Sequence, residues 1–131
     1  LYLGNLYAKR DWGHAKDYVF AMWKMLQRKN PKDYVIATGK NYTVKEFVNL
    51  VCKNLNMKIL WKGKGLKEKC YWKNNTIIEI DKKYFRPTEV NSLKGDFSLA
   101  KKELSWKPKI NINNLVDEMI KEEFKNISND E

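Results

Sequence analysis

The sequence predicts a mixed α/β chain, and three observations carry that prediction. Apolar residues recur at helical spacing in three stretches, near 14–27, 44–55 and 112–127. Runs rich in β-formers stand at 34–38, 58–62 and 76–80. Glycine, proline and asparagine punctuate the boundaries between them. The resulting order is helix, strand, helix, strand, strand, helix, helix, which does not complete a doubly wound sheet.

The first helix is expected over 14–27, with Ala15, Val19, Met22, Trp23 and Leu26 at helical spacing, and Asn30-Pro31 ends it. Tyr34-Val-Ile-Ala-Thr38 reads as a strand stopped by Gly39. Thr43-Val-Lys-Glu46 is a capping-box signature for a second helix, whose apolar face holds Val44, Phe47, Val48, Val51 and Leu55. A strand follows at 58–62, then a polar loop from Gly63 through Asn75, then a strand at 76–80 ending at Asp81. The stretch 84–90 cannot be helical throughout, because Pro87 restricts Arg86. Asp96 caps a short helix through Leu104, and Trp106-Lys-Pro108 breaks the chain again. Asn111 caps the last helix, with Ile112, Leu115, Val116, Met119, Ile120, Phe124 and Ile127 toward the core; residues 126–131 read as a frayed tail.

With 131 residues, 43% of them hydrophobic and 13% aromatic, the chain can bury a core, so disorder throughout is excluded. No apolar run approaches the roughly 18 residues of a membrane helix, so no membrane association is expected. The chain opens on Leu1 with no leader-like pattern, which reads as a cut inside a longer protein. The net charge of +10 invites a nucleic-acid reading. Only three of the 26 basic residues are Arg (Arg10, Arg28 and Arg86), and the lysines scatter over the whole chain beside abundant asparagine. That distribution fits a solvated, lysine-rich surface, and no nucleic-acid partner is expected. Cys52 sits in an apolar helical pattern and reads as a buried hydrophobe, whereas Cys70 lies in a basic, polar stretch and reads as an exposed thiol. Neither belongs to a metal-like cluster, and this usage fits a reducing, cytoplasmic setting.

No catalytic set is visible. Gly63-Lys-Gly65 lacks a third glycine and opens no helix, so it argues for no dinucleotide site. There is no P-loop, no G-x-S-x-G elbow and no tyrosine followed by lysine four residues on. Two loops stand out instead. Lys9-Arg10-Asp11-Trp12-Gly13-His14 reads either as a surface Arg10–Asp11 pair with Trp12 in the core, or as an anion site in which the Arg10 fork meets a diphosphate. Phe85-Arg86-Pro87-Thr88-Glu89-Val90 places an Arg and a carboxylate in a stiff loop. It reads either as a nucleotide clamp, with Arg86 on phosphate and Glu89 on sugar hydroxyls, or as a weak surface pair.

Taken together, the motifs resemble a known family. Leu3-Gly-Asn-Leu6, Ala8-Lys-Arg-Asp-Trp-Gly-His-Ala-Lys-Asp-Tyr-Val19, Ala21-Met-Trp23, Tyr34-Val-Ile-Ala-Thr-Gly39, Tyr84-Phe-Arg-Pro-Thr-Glu-Val90, Gly95-Asp96 and Leu104-Ser-Trp-Lys-Pro-Lys109 are similar, in order and spacing, to the GDP-mannose 4,6-dehydratase family of extended short-chain dehydrogenases. The resemblance implies the C-terminal part of such an enzyme. Residues 1–38 would be the final elements of an NADP-binding Rossmann domain and the start of the substrate site, and residues 39–131 mostly the nucleotide-sugar lobe. The glycine fingerprint and catalytic residues would lie upstream, so this chain would be inactive alone.

The implied activity of the full-length protein is an NADP-dependent internal redox dehydration of GDP-mannose to GDP-4-keto-6-deoxymannose, a precursor of GDP-fucose. The protein would be a homodimer or homotetramer. The alternatives are a related dehydratase or epimerase on another nucleotide sugar, or a basic nucleic-acid-binding module. Carried over by position, the family pattern implies Arg10 and Arg86 on the diphosphate, Glu89 on the ribose, Gly4 and Asn5 alongside the nucleotide, and Lys9 near it. Tyr7 departs from the pattern, standing where the family usually has an acidic residue, and the segment 67–75 departs as well. The resemblance also implies that helix 14–27 and strand 34–38 normally pack on a sheet outside this chain, leaving an apolar face exposed here.

Overall fold

A computed structural model describes residues 1–86, 88 and 90–129. In chain order its elements are β1 (Tyr2–Leu3), β2 (Lys9–Arg10), α1 (Ala15–Leu26), β3 (Tyr42–Thr43), α2 (Val44–Asn54), β4 (Ile59–Lys62), β5 (Lys69–Trp72), β6 (Asn75–Ile80), α3 (Ser98–Leu104) and α4 (Ile112–Asn129), with short 3-10 turns at Gly65–Lys67 and Lys82–Tyr84. The chain divides into two compact units, one of Leu1–Lys9 with Thr43–Ser92, the other of Arg10–Tyr42 with Leu93–Glu131.

The first unit is a four-stranded sheet in the order β1-β6-β5-β4, with α2. The β4–β5 and β5–β6 pairs are antiparallel, with Leu60 opposite Tyr71 and Trp72 opposite Asn75. The short β1 joins β6 in parallel, Leu3 opposite Ile80. Leu6, Ala8, Cys52, Cys70 and Ile78 are its buried apolar residues. The capping box forms as expected: Thr43 Oγ1 accepts from Glu46 N at 3.0 Å, and Glu46 Oε2 accepts from Thr43 N at 2.6 Å. Those bonds hold the Glu46 carboxyl below its ordinary value.

Two expectations fail in this unit. The stretch 63–75 is not a loop throughout, because it contains β5. Nor is Cys70 exposed: it is fully buried, and burial pushes its thiol pKa up. The inward residue of this four-residue strand stands directly after the polar run Lys67-Glu68-Lys69, which hides it in the sequence. The two-residue turn that joins β5 to β6 puts Lys73 and Asn74 at φ 47° and 66°, as a type I′ turn requires, without the usual glycine.

The second unit packs α1 and α3 around Ala21, Ala100, Leu104 and Trp106, with Tyr18, Met25, Tyr34, Ile36 and Phe97 against them. Trp106 is its anchor: the ring is buried, its Nε1–H donates to Asp17 O at 2.9 Å, and Phe97 meets it edge-on. Asn111 Oδ1 accepts from Asn114 N at 3.0 Å at the start of α4, but Asp96 is not the N-cap of α3: that position is Phe97, which makes no side-chain cap bond, and Asp96, one residue earlier, accepts from Ser98 N at 2.9 Å.

Here too the structure corrects the sequence reading. Residues 34–38 join no ladder, since a β-prone run becomes a strand only where a partner strand lies alongside. The last helix runs on through Asn129 instead of fraying from 126. Ile112 and Val116 are buried, but Met119, Phe124 and Ile127 are exposed. On α1 the inward face is Asp17 and Ala21, while Val19, Met22, Trp23 and Leu26 point outward, as the resemblance implied.

Candidate functional site

Four of the six expected site residues lie in the first unit and are described: Gly4, Asn5, Lys9 and Arg86. The segments that carry them are nearly 80 residues apart in sequence and run together at two places. At one end, Asp81 N donates to Leu3 O at 2.9 Å. At the other, Lys9 N donates to Asn91 O at 2.8 Å, and Lys9 bridges Ser92 in parallel. The stretch that carries Arg86 spans the interval between these anchors.

Gly4 lies directly under that stretch. A Cβ placed there would stand 2.3 Å from the Tyr84 carbonyl oxygen, so only glycine permits the approach. Asn5 is folded onto its own chain, its Oδ1 accepting from Tyr7 N at 2.9 Å. The amide NH2 is the group it can offer outward. Asp81 starts the stretch: its Oδ1 accepts from Lys83 N at 2.9 Å and its carbonyl accepts from Tyr84 N at 3.1 Å, while Phe85 N donates to Lys82 O at 3.0 Å. Arg86 follows at the surface. Glu89 lies outside the described residues.

Arg10 opens the second unit. The next residue, Asp11, is a hub and not half of a simple surface pair. Its Oδ1 accepts from Thr38 N at 2.9 Å and from Thr38 Oγ1; its Oδ2 accepts from Gly39 N at 2.9 Å and Gly95 N at 3.2 Å. Gly95 fits only as glycine, because a Cβ would meet that of Ala37 at 2.2 Å. A carboxylate accepting three backbone N–H groups fixes the backbone beside Arg10. Trp12 is half-buried and lines a cavity of about 180 Å³ with Thr38, Lys40, Tyr42 and residues 108–112; none of the expected site residues lines it.

Sequence reasoning passed over several residues that hold these segments. Asp17 is buried on α1, and its Oδ2 accepts from Lys109 N at 2.8 Å and Ile110 N at 2.9 Å. Glu68 is 3% exposed and accepts from the Lys45 ammonium and, at 2.8 Å, from the Tyr7 hydroxyl. Burial pushes the Glu68 carboxyl up, but the two donors more than offset this and hold it below the usual range; Lys45 is correspondingly raised. The only available signal was chemical: an acidic residue amid apolar or basic neighbours needs a partner.

Among the described residues no group of three or more His, Cys, Asp or Glu could hold a metal, and no helix is long and apolar enough to cross a membrane. Gly63 follows β4 and Gly65 opens a three-residue 3-10 turn, with a strand after it. That is not the strand–turn–helix cradle of a dinucleotide phosphate, so these two glycines do not fit a nicotinamide cofactor.

The comparisons extend this picture. The family model described as GDP-mannose 4,6 dehydratase matches residues 1–119. Curated relatives bearing that name are 54% identical in Drosophila melanogaster, over 91% of this chain and 31% of theirs, and 48% identical in Dictyostelium discoideum, over 98% and 37%. The human relative is 50% identical, over 90% and 32%. This chain therefore spans about a third of the length of the curated relatives it matches. Among solved structures, a UDP-glucose 4-epimerase of Thermotoga maritima with UDP-glucose superposes at a TM-score of 0.73 with 17% identity, covering 97% of this chain and 35% of its own. A dTDP-glucose 4,6-dehydratase of Bacillus anthracis in complex with NAD superposes at 0.71 with 22% identity, covering 95% and 34%. At such identities the likeness shows the fold alone: this chain has the fold of about a third of each of those chains. A family match over residues 1–119, with relatives near 50% identity, shows that the chain belongs to the GDP-mannose 4,6-dehydratase family.

Proposed function

We propose that the full-length protein converts GDP-mannose to GDP-4-keto-6-deoxymannose and that this chain grips the nucleotide while the reacting groups lie elsewhere. Family membership supports the reaction. The observation that supports the gripping role is the pair of backbone anchors, Leu3–Asp81 and Lys9–Asn91, which hold Gly4, Asn5 and Lys9 alongside the stretch bearing Arg86.

Each residue has a task suited to its chemistry. Arg86 and Arg10 are planar, permanently charged forks that can span two phosphate oxygens. Lys9 adds a point charge. The Asn5 amide can donate to an oxygen of the nucleotide, and Gly4 keeps the backbone low beneath the stretch. Glu89 accepts from ribose hydroxyls. Contacts to the non-reacting GDP position the hexose, which raises the rate at which correctly placed groups act. The cofactor of the full-length protein is NADP, which supplies the hydride chemistry. Residues 1–38 belong with the cofactor domain and 39–131 with the nucleotide-sugar lobe, in a cytoplasmic dimer or tetramer.

The test is to incubate the full-length protein and NADP with GDP-mannose, dTDP-glucose and UDP-glucose separately and follow product mass, together with the identity of the hydrolysed sugar by chromatography. GDP-mannose should lose one water, with the other two unchanged. Dehydration of dTDP-glucose, or isomerisation of UDP-glucose, in place of the GDP-mannose reaction would move the protein to the other nucleotide-sugar reading.

A further inference from the structure

We infer that Tyr7, Lys45 and Glu68 form a positioning unit that sets the segment 4–9, and through it the nucleotide; the inference rests on the binding role proposed above. Along this segment Leu6 and Ala8 are buried, and their carbonyls accept from Lys45 N at 2.9 Å and Val44 N at 3.2 Å. The inward half is thus fixed by the start of α2. The outward half carries the groups that would meet a ligand, Asn5 and Lys9, with Tyr7 between them.

Tyr7 ties that outward half to the sheet. Its backbone N–H donates to Asn5 Oδ1, which orients the Asn5 amide. Its hydroxyl donates to Glu68 Oε2 at 2.8 Å, and Lys45 bonds the other oxygen of the same carboxylate. The Lys45 ammonium also stands 5.5 Å from the centre of the Tyr7 ring and 4.8 Å from that of Trp61.

The phenol does more than complete the buried Glu68 carboxylate. Lys45 bonds Oε1 of Glu68 and the Tyr7 hydroxyl bonds Oε2, while Tyr7 itself is 54% exposed, so its burial adds little to the core. What the hydroxyl adds is a fixed position for a backbone whose neighbours two residues away on either side are candidate ligand groups. The ring also leaves Tyr7 at the surface, where a bound nucleotide would read any slackening of the segment.

The test is steady-state kinetics of the full-length protein with GDP-mannose. Tyr7→Phe removes one oxygen from an exposed side chain but also one donor from the buried Glu68 carboxylate, so it should fold with a modestly lowered thermal midpoint, and the split between KM and kcat is the deciding readout. The variant should raise KM about three- to ten-fold, the loss of one hydrogen bond, with kcat within about two-fold. Lys45→Met should raise KM similarly, Lys45→Arg should restore most of that loss, and Tyr7→Phe with Lys45→Met should cost less than the two singles combined. Arg86→Ala is run alongside. If Arg86→Ala raises KM and Tyr7→Phe does not, the positioning role is wrong and the binding role stands. If Arg86→Ala leaves KM at the wild-type value, the binding role fails and this inference falls with it.

Discussion

The carboxylates that organise this chain act on backbone. Asp11 collects three N–H groups and a hydroxyl from segments 38–39 and 95, and Asp17 collects the N–H groups of Lys109 and Ile110 while its own carbonyl receives Trp106. Removing such an acceptor leaves buried donors unsatisfied, a larger cost than the bond itself is worth. Asp17→Ala should therefore destabilise the full-length protein by about 3 kcal/mol in denaturant titration, more than Asp117→Ala, whose side chain is half exposed and pairs only with Lys121 four residues on. Equal effects would show that the Asp17 bonds carry no weight. The sequence marked these residues only indirectly. Arg10 and Arg86 were conspicuous because arginine is scarce here, but nothing local distinguishes Asp11 from any acid beside an arginine. Its partners are 27 and 84 residues away.

Elements announced themselves where the signal was local. The capping box at Thr43 and Glu46, the Asn111 cap and the amphipathic faces of α1, α2 and α4 all follow from spacing within a few residues. Two elements failed for tertiary reasons: β5 shows a single buried residue, Cys70, just after a polar run, and 34–38 has no partner strand. The β5–β6 hairpin invites a direct test. Lys73 and Asn74 both hold positive φ, a conformation that costs an ordinary side chain about 1 kcal/mol. Lys73→Asn with Asn74→Gly supplies the favoured type I′ pair and should stabilise the chain by about 1 kcal/mol in thermal melts. No change, or a loss, would mean the turn is not of that type.

At the scale of the whole molecule, the outward stripe of α1 is the plainest feature. Val19 is 62% exposed, Trp23 54% and Leu26 81%, at the spacing of one helix face. The 131-residue chain should bind a hydrophobic dye, and Val19→Lys, Trp23→Lys and Leu26→Lys together should cut the fluorescence several-fold without loss of helical signal; dye binding that survives would place the exposed apolar surface elsewhere. The proposed division of grip from chemistry belongs to the same scale: the chain belongs to the GDP-mannose 4,6-dehydratase family and spans about a third of the length of its curated relatives. The most direct test of that division is the steady-state kinetics of Arg86→Ala in the full-length protein with GDP-mannose. A charge-assisted contact of about 1.5–3 kcal/mol made equally in ground and transition states should appear as a rise of about 10- to 100-fold in KM, with kcat changed far less. Arg86→Lys should recover only part of it, since an ammonium cannot fork across two phosphate oxygens. Wild-type KM and kcat in Arg86→Ala would contradict the account and reduce the stretch to structure alone.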